Sequence, residues 1–291
     1  MKSAPFTYHR PDDIDEACAQ LADDPDARII AGGQSLVPMM AMRLVRPTRL
    51  VDIGRISSLW YVRDEGEAIA IGAATCQCVI ERDPLIAAQV PLLATALPWI
   101  GHAATRARGT IGGSISHADP AAEIVLVAIT LGATLVYRAN GVTTEIQASK
   151  FFTGLMTTAL PPGSCLTAVR FPRASGNVGV GFHEINARRS DFAFASAAAQ
   201  VALNDDGSCR ALTIGIGAIT EVPFRLDSIA AKFSGKPIEE AELRTAIRDA
   251  LDEIAPMSDL HASAEYRRRA ATTLAVRSVM DAARGDQRRV H

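Results

Sequence analysis

Apolar residues recur at Ile14, Ala17, Cys18 and Leu21, a spacing that puts them on one face of a helix. A short run from Arg28 to Ala31 follows and stops at Gly32 and Gly33, and Arg49 to Ile53 supplies another. The opening therefore reads as a β-α-β-like unit with two glycines at a strand exit, where backbone can come close to a ligand. Ala68 to Ala74, AIAIGAA, predicts a strand, and Pro84 to Leu97 predicts a helix ending before Pro98. A glycine-rich connection at 109–114 leads into an apolar segment from Ile124 to Tyr137. That segment is shorter than the roughly 20 residues needed to cross a bilayer. It reads as a buried helix running into a strand, with Asp119 as cap and Pro120 at the first helical position.

Farther along, Phe151 and Phe152 are expected to anchor a turn in the core, and Cys165 to Phe171 to form a strand. RASGNVG after Pro172 marks a boundary. Phe192 to Leu203 fits a helix or a bulged strand, Asp205-Asp206-Gly207 a turn, and Ala211 to Ile219 a strand. Two helices follow, Glu239 to Ala250 and Ser263 to Ala283, the second with Ala271, Leu274, Ala275, Ser278 and Val279 available for a buried stripe. Residues 285–291 read as a frayed tail.

Composition narrows the function classes. Thirty Lys and Arg against 32 Asp and Glu leave a formal charge of -2, which gives no electrostatic footprint for nucleic acid. The 48% apolar content supports a substantial core in 291 residues, enough for two or three small domains. The start has Lys2 but no following apolar run, so no secretory signal is read and a cytoplasmic location is expected. Cysteines at 18, 76, 78, 165 and 209 are too sparse for a disulfide scaffold, and Cys76 and Cys78 form a lone pair. An iron–sulfur cluster needs four thiolates in a spaced framework, so no cluster is expected in this chain. The six histidines show no metal-ligand spacing.

Two glycine motifs hold the candidate chemistry. In Ala31-Gly32-Gly33-Gln34-Ser35-Leu36, the glycines permit a turn that aims several backbone N–H groups at one anion, and Ser35 adds a hydroxyl. Such a nest suits a pyrophosphate, although the string also fits an ordinary strand-to-loop turn. Thr110-Ile111-Gly112-Gly113-Ser114 is a second candidate loop, and the two could clasp a dinucleotide from opposite sides. Neither contains G-x-G-x-x-G, and no P-loop ending is present.

The segments AGGQSLVPMMAMRLVRPTRLVDIGRI at 31–56, TRARGTIGGSISHADPAAE at 105–123 and ARRSDFAFASAA at 187–198 together resemble the FAD-binding middle subunit of the carbon monoxide dehydrogenase and xanthine dehydrogenase class of molybdenum hydroxylases. The resemblance spans roughly residues 1–285. It implies an α+β fold: a two-part FAD-binding region, at 1–57 and 58–173, followed by a small sheet-and-helix domain at 174–285. It also implies that Gly32, Gly33, Gln34 and Ser35, flanked by Ala31 and Leu36, wrap the FAD pyrophosphate. Thr110, Ile111, Gly112, Gly113 and Ser114 would lie near the flavin-linking chain, Asp119 and Glu123 near sugar or ribityl hydroxyls, and Arg189 and Asp191 near the isoalloxazine. The implied partners are a large molybdenum-cofactor subunit and a small subunit with two [2Fe-2S] clusters, in a dimer of heterotrimers. Electrons would pass from those clusters through FAD to an external acceptor, with hydroxylation in the partner.

Departures from the family pattern are Ser114 where Asn is common, Ala107 within R-A-R-G-T, Glu123 where Asp is frequent, and Glu184 where some relatives carry Lys. Arg188, Arg189 and Asp191 also fit a solvated surface cluster. His117 is expected to have no acid–base role, and His102 to be a surface or packing residue. Trp60, Trp99, Phe151 and Phe152 are assigned to the core, and Cys76 and Cys78 read as buried small residues. Two other functions fit less well: a stand-alone FAD oxidase of a small alcohol or amine, which needs a local base, and a noncatalytic assembly subunit that has lost FAD.

Overall fold

The computed structural model describes residues 2–285; the tail expected at 286–291 lies outside them. The chain opens with β1 (Thr7–His9), α1 (Ile14–Ala22), β2 (Arg28–Ile30), α2 (Leu36–Ala41) and β3 (Arg49–Asp52). These strands form an all-parallel sheet in the order β1-β3-β2, because each connection crosses over through a helix. α1 starts where the sequence dictates: Asp13 accepts from the Glu16 amide at 2.9 Å, and Glu16 returns a carboxylate oxygen to the Asp12 amide at 2.8 Å. This reciprocal capping satisfies amides the helix cannot. Ala17 and Cys18 then pack on Val51, Ile53, Ile56 and Leu59.

The middle of the chain contains β4 (Val62–Asp64), β5 (Ala68–Gly72), α3 (Gln77–Glu81), α4 (Pro84–Gln89), α5 (Pro91–Ala96), α6 (Ala103–Arg106), α7 (Ile111–His117), α8 (Glu123–Leu131), β6 (Thr134–Ala139), β7 (Val142–Gln147) and α9 (Ala148–Phe151). A small hairpin, β8 (Phe152–Gly154) with β9 (Thr157–Thr158), precedes β10 (Cys165–Pro172). The sheet is antiparallel in the order β4-β5-β10-β6-β7. α8 is apolar all round, with Ile124 to Thr130 buried, as expected of a helix enclosed on every side. It ends at Gly132, φ 66°, and feeds β6, so the apolar run divides as its sequence indicates.

Several details differ from expectation. The helix read over 84–97 is broken at Val90, because Pro91 has no N–H to donate and disfavours helical backbone in the residue before it. Pro98 sits inside a short 3-10 turn, Leu97–Trp99, instead of stopping the helix. Residues 111–117 are helix, not loop, with Thr110 as N-cap accepting from the Gly113 amide at 3.0 Å. Asp119 does not cap α8; it accepts from the Ala121 amide at 2.8 Å in a tight turn, while Ala122 holds the cap position. Trp60 is 55% exposed, and Cys76 and Cys78 are half-buried. Phe151 and Phe152 are in the core as expected.

The last part contains β11 (Gly179–Ile185), β12 (Ala195–Leu203), β13 (Cys209–Gly217), β14 (Phe224–Arg225), α10 (Asp227–Phe233), α11 (Glu240–Asp252) and α12 (Ala264–Ala283). Its sheet runs β11-β12-β13-β14, antiparallel throughout. The ambiguous segment at 192–203 is a strand from Ala195, with its irregularity at Ala202 and Leu203. The stripe read on α12 is buried at all five positions. α12 lies so close to β11 that a Cβ on Gly181 would stand 2.1 Å from the Ser278 carbonyl oxygen. No described helix is long and apolar enough to cross a membrane.

Candidate functional site

The first and middle parts enclose a cleft of about 840 Å³, reached also by the loop between β11 and β12. Ala31, Gly32, Gly33, Gln34, Ser35 and Leu36 form one wall, where β2 gives way to α2. Gly33 turns the chain with φ +71°, a conformation that favours glycine. Among the described residues, the amides of Gly32, Gly33, Gln34 and Ser35 find no acceptor within the protein. Gly32 and Gly33 are half-buried, where amides normally have partners. Consecutive unpaired amides at a turn, facing a cleft, form an anion-binding concavity.

The cleft is also lined by Thr110, Gly112, Gly113, Ser114, Asp119 and Glu123, with Asp191 from the β11–β12 loop. The glycines here have a different purpose. Gly112 donates to the Ala73 carbonyl at 2.9 Å, Gly113 to Thr110 Oγ1, and Ser114 to the Thr110 carbonyl at 3.1 Å. These amides are therefore engaged, and the motif is not a second nest. A Cβ on Gly112 would stand 2.6 Å from that of Ala73, so glycine lets α7 press on the end of β5. A Cβ on Gly32 would stand 2.0 Å from the Arg108 carbonyl oxygen. Gly32 thus meets, backbone to backbone, the Arg108–Gly109 segment that leads into the second motif.

Two expected site residues lie elsewhere. Ile111 is fully buried in the core and its amide donates to the Thr75 carbonyl at 3.1 Å, leaving it nothing to offer the cleft. Arg189 is exposed and does not line the cleft. Its neighbour Arg188 is the partner of Asp191, at 3.0 Å. Sequence reading missed Gln77, Gly163, Ser164 and Phe192, which all line the cleft. The Pro161-Pro162-Gly163 turn was a usable signal. Phe192, 75% exposed, was hidden within a run read as one regular element.

Arg106 holds the region between α3 and α6, donating to both Glu81 oxygens at 2.8 and 3.1 Å and to the Ile100 carbonyl at 3.0 Å. Burial pushes the Glu123 carboxyl up to about 7, against a smaller opposing pull from its own backbone N–H; Asp119 raises it further and Arg106 lowers it. Glu184 on β11 is pushed up to about 8, by burial first and then by the charge of Glu123. No described group of His, Cys, Asp and Glu has the arrangement of a metal site. A cleft of this size, lined by unpaired amides at a glycine turn and by hydroxyl and carboxylate side chains, has the chemistry to take a dinucleotide.

Residues 4–174 match the family described as FAD binding domain in molybdopterin dehydrogenase, and 181–282 match the CO dehydrogenase flavoprotein C-terminal domain. The chain belongs to this family of FAD subunits of molybdenum-dependent oxidoreductases, and FAD is its cofactor. It is 32% identical over 283 residues to the 6-hydroxypseudooxynicotine dehydrogenase complex subunit alpha of Paenarthrobacter nicotinovorans, covering 97% of this chain and 96% of that protein. It is also 32% identical to the carbon monoxide dehydrogenase medium chain of Afipia carboxidovorans, over 94% and 95% of the two chains. A chain in the crystal structure of quinoline 2-oxidoreductase from Pseudomonas putida 86 superposes with a TM-score of 0.93 at 36% identity, covering 98% of this chain and 99% of that one.

Proposed function

We propose that the cleft holds one noncovalent FAD, with its pyrophosphate against the amides of Gly32 to Ser35. On this reading the chain relays electrons in a larger cytoplasmic complex: partner-bound [2Fe-2S] clusters supply them, an external acceptor receives them, and a molybdenum-cofactor subunit hydroxylates the substrate. The carrying observation is the run of four unpaired amides at a left-handed glycine turn, on the wall of a cleft large enough for a dinucleotide. Relatives described as a complex subunit and a medium chain support the partnership.

FAD accepts electrons singly and releases them as a pair. The residues of this chain bind, orient and exclude water. The nest would compensate the phosphate charge, and Asp119, Glu123 and Ser114, which line the cleft, would engage hydroxyls of the linking chain. Arg188 holds Asp191 at the cleft edge.

Purified chain should contain close to one FAD per subunit, released unmodified on denaturation. Recovery of FMN alone, or no flavin after reconstitution, would overturn the assignment.

A further inference from the structure

Gln77 is a buried polar residue that the fold itself does not use. It is the first residue of α3 and is 5% exposed, and it lines the cleft. Among the described residues, neither end of its carboxamide has a hydrogen-bond partner: Oε1 is sealed from solvent, whereas Nε2 is not. Buried side-chain amides are normally bonded, and an orphaned one calls for a reason.

Folding does not supply that reason. The main chain alone fixes the position: the Gln77 amide donates to the Gly109 carbonyl at 2.8 Å, the Ile111 amide donates to the Thr75 carbonyl at 3.1 Å, and Cys76 forms a β-bridge with Thr110. The donors nearby are engaged. The Arg108 and Gly109 amides both donate to the Thr105 carbonyl, at 3.2 and 2.7 Å, and the Arg106 guanidinium is bound to Glu81. A methionine or leucine would fill similar space without a desolvated, unpaired carbonyl. Stability by itself therefore favours an apolar side chain here.

The surroundings of the carboxamide point to a ligand. A Cβ on Gly109 would stand 2.8 Å from Gln77 Oε1, and a Cβ on Gly32 would stand 2.9 Å from the Gly109 Cα. Gly109 thus touches both Gln77 and the turn whose four amides have no acceptor. Nε2 is a fifth neutral N–H donor beside that turn, equally without an acceptor. Because the carboxamide is planar with its two ends opposed, facing the donor toward the cleft leaves Oε1 on the sealed side.

We propose that Gln77 binds the cofactor directly, donating from Nε2 to a phosphate oxygen of the pyrophosphate held by Gly32 to Ser35. The inference rests on the FAD reading. It makes the orphaned carboxamide a feature kept for binding at the expense of stability, as is common where sites are concerned.

The test is fluorescence titration of FAD into flavin-free full chain, with thermal unfolding of the same flavin-free samples. Gln77→Met keeps the length of the side chain and removes both polar ends. Its Kd should rise about tenfold, for one hydrogen bond to a charged group, while the flavin-free Tm stays equal or rises. Gln77→Glu sets a carboxylate against phosphate, so its Kd should rise further, and the excess should shrink as salt is raised. A residue that serves only the fold gives the reverse pair, a lower Tm with Kd unchanged. An unchanged Kd in Gln77→Met, with wild type binding FAD, would overturn this inference and leave the cofactor assignment standing. Gln77→Glu binding as tightly as wild type removes the phosphate contact. If Gln77→Met does not fold, Gln77→Leu is read in the same way, and failure of both assigns the side chain to folding and overturns the proposal. If the wild-type chain takes up no FAD, the cofactor reading falls and this inference falls with it.

Discussion

At Gly33 a single backbone angle does what no other residue does cheaply. With φ at +71° and Val37 and Ile30 side chains 3.1 and 3.4 Å from where a Cβ would stand, Gly33→Val would combine strain with a clash. FAD retention after gel filtration should fall sharply in this variant and stay unchanged in His102→Ala, whose side chain is exposed. Equal occupancy in both, with folding preserved, would remove the nest from the phosphate. Ser114→Ala should be milder, about 1 kcal/mol in FAD affinity for one net hydrogen bond, read by fluorescence titration. The first glycine pair marked a strand exit that also fits an ordinary turn, and the family resemblance is what pointed it toward the phosphate. The second misled: its glycines suggested a nest, whereas their amides are engaged by Ala73 and Thr110 and their small size serves the contact with β5.

Secondary elements were readable wherever burial follows one period. α1 and α12 announce themselves by apolar spacing and caps, α8 by an unbroken apolar run, and β5 and β10 by short apolar runs with β-branched residues. The segment at 192–203 was not decidable, because its alanines suit a helix as well as a strand; pairing of β12 with both β11 and β13 settles it. Those alanines have a tertiary purpose, since Ala197 and Ala199 are buried in the same core as Ala271, Ala275 and Val279 of α12. Gly181→Ala should press on the Ser278 carbonyl, force α12 away from β11 and cost roughly 1–3 kcal/mol, measured by urea unfolding with flavin content followed in parallel. An unchanged midpoint would show that the helix can move without loss.

For the whole molecule, the expected state is a subunit that binds FAD alone and works only in company. Isolated chain should show flavin absorbance but no hydroxylase activity, while native mass measurement and metal analysis of the complex should give molybdenum, iron and FAD together, in a dimer of heterotrimers. An active single chain lacking both metals would refute the proposal. The sequence by itself determined most of the elements and the family, because capping, periodicity and glycine-bearing motifs are local and leave local marks. Only the tertiary structure decided that Gly32 abuts the Arg108–Gly109 backbone, that Ile111 faces the core and Arg189 the solvent, and that Asp191 shares a cleft with Asp119 and Glu123. The physical reason is separation along the chain: Asp119 and Asp191 belong to different parts of the sequence, and only packing brings them to one cleft.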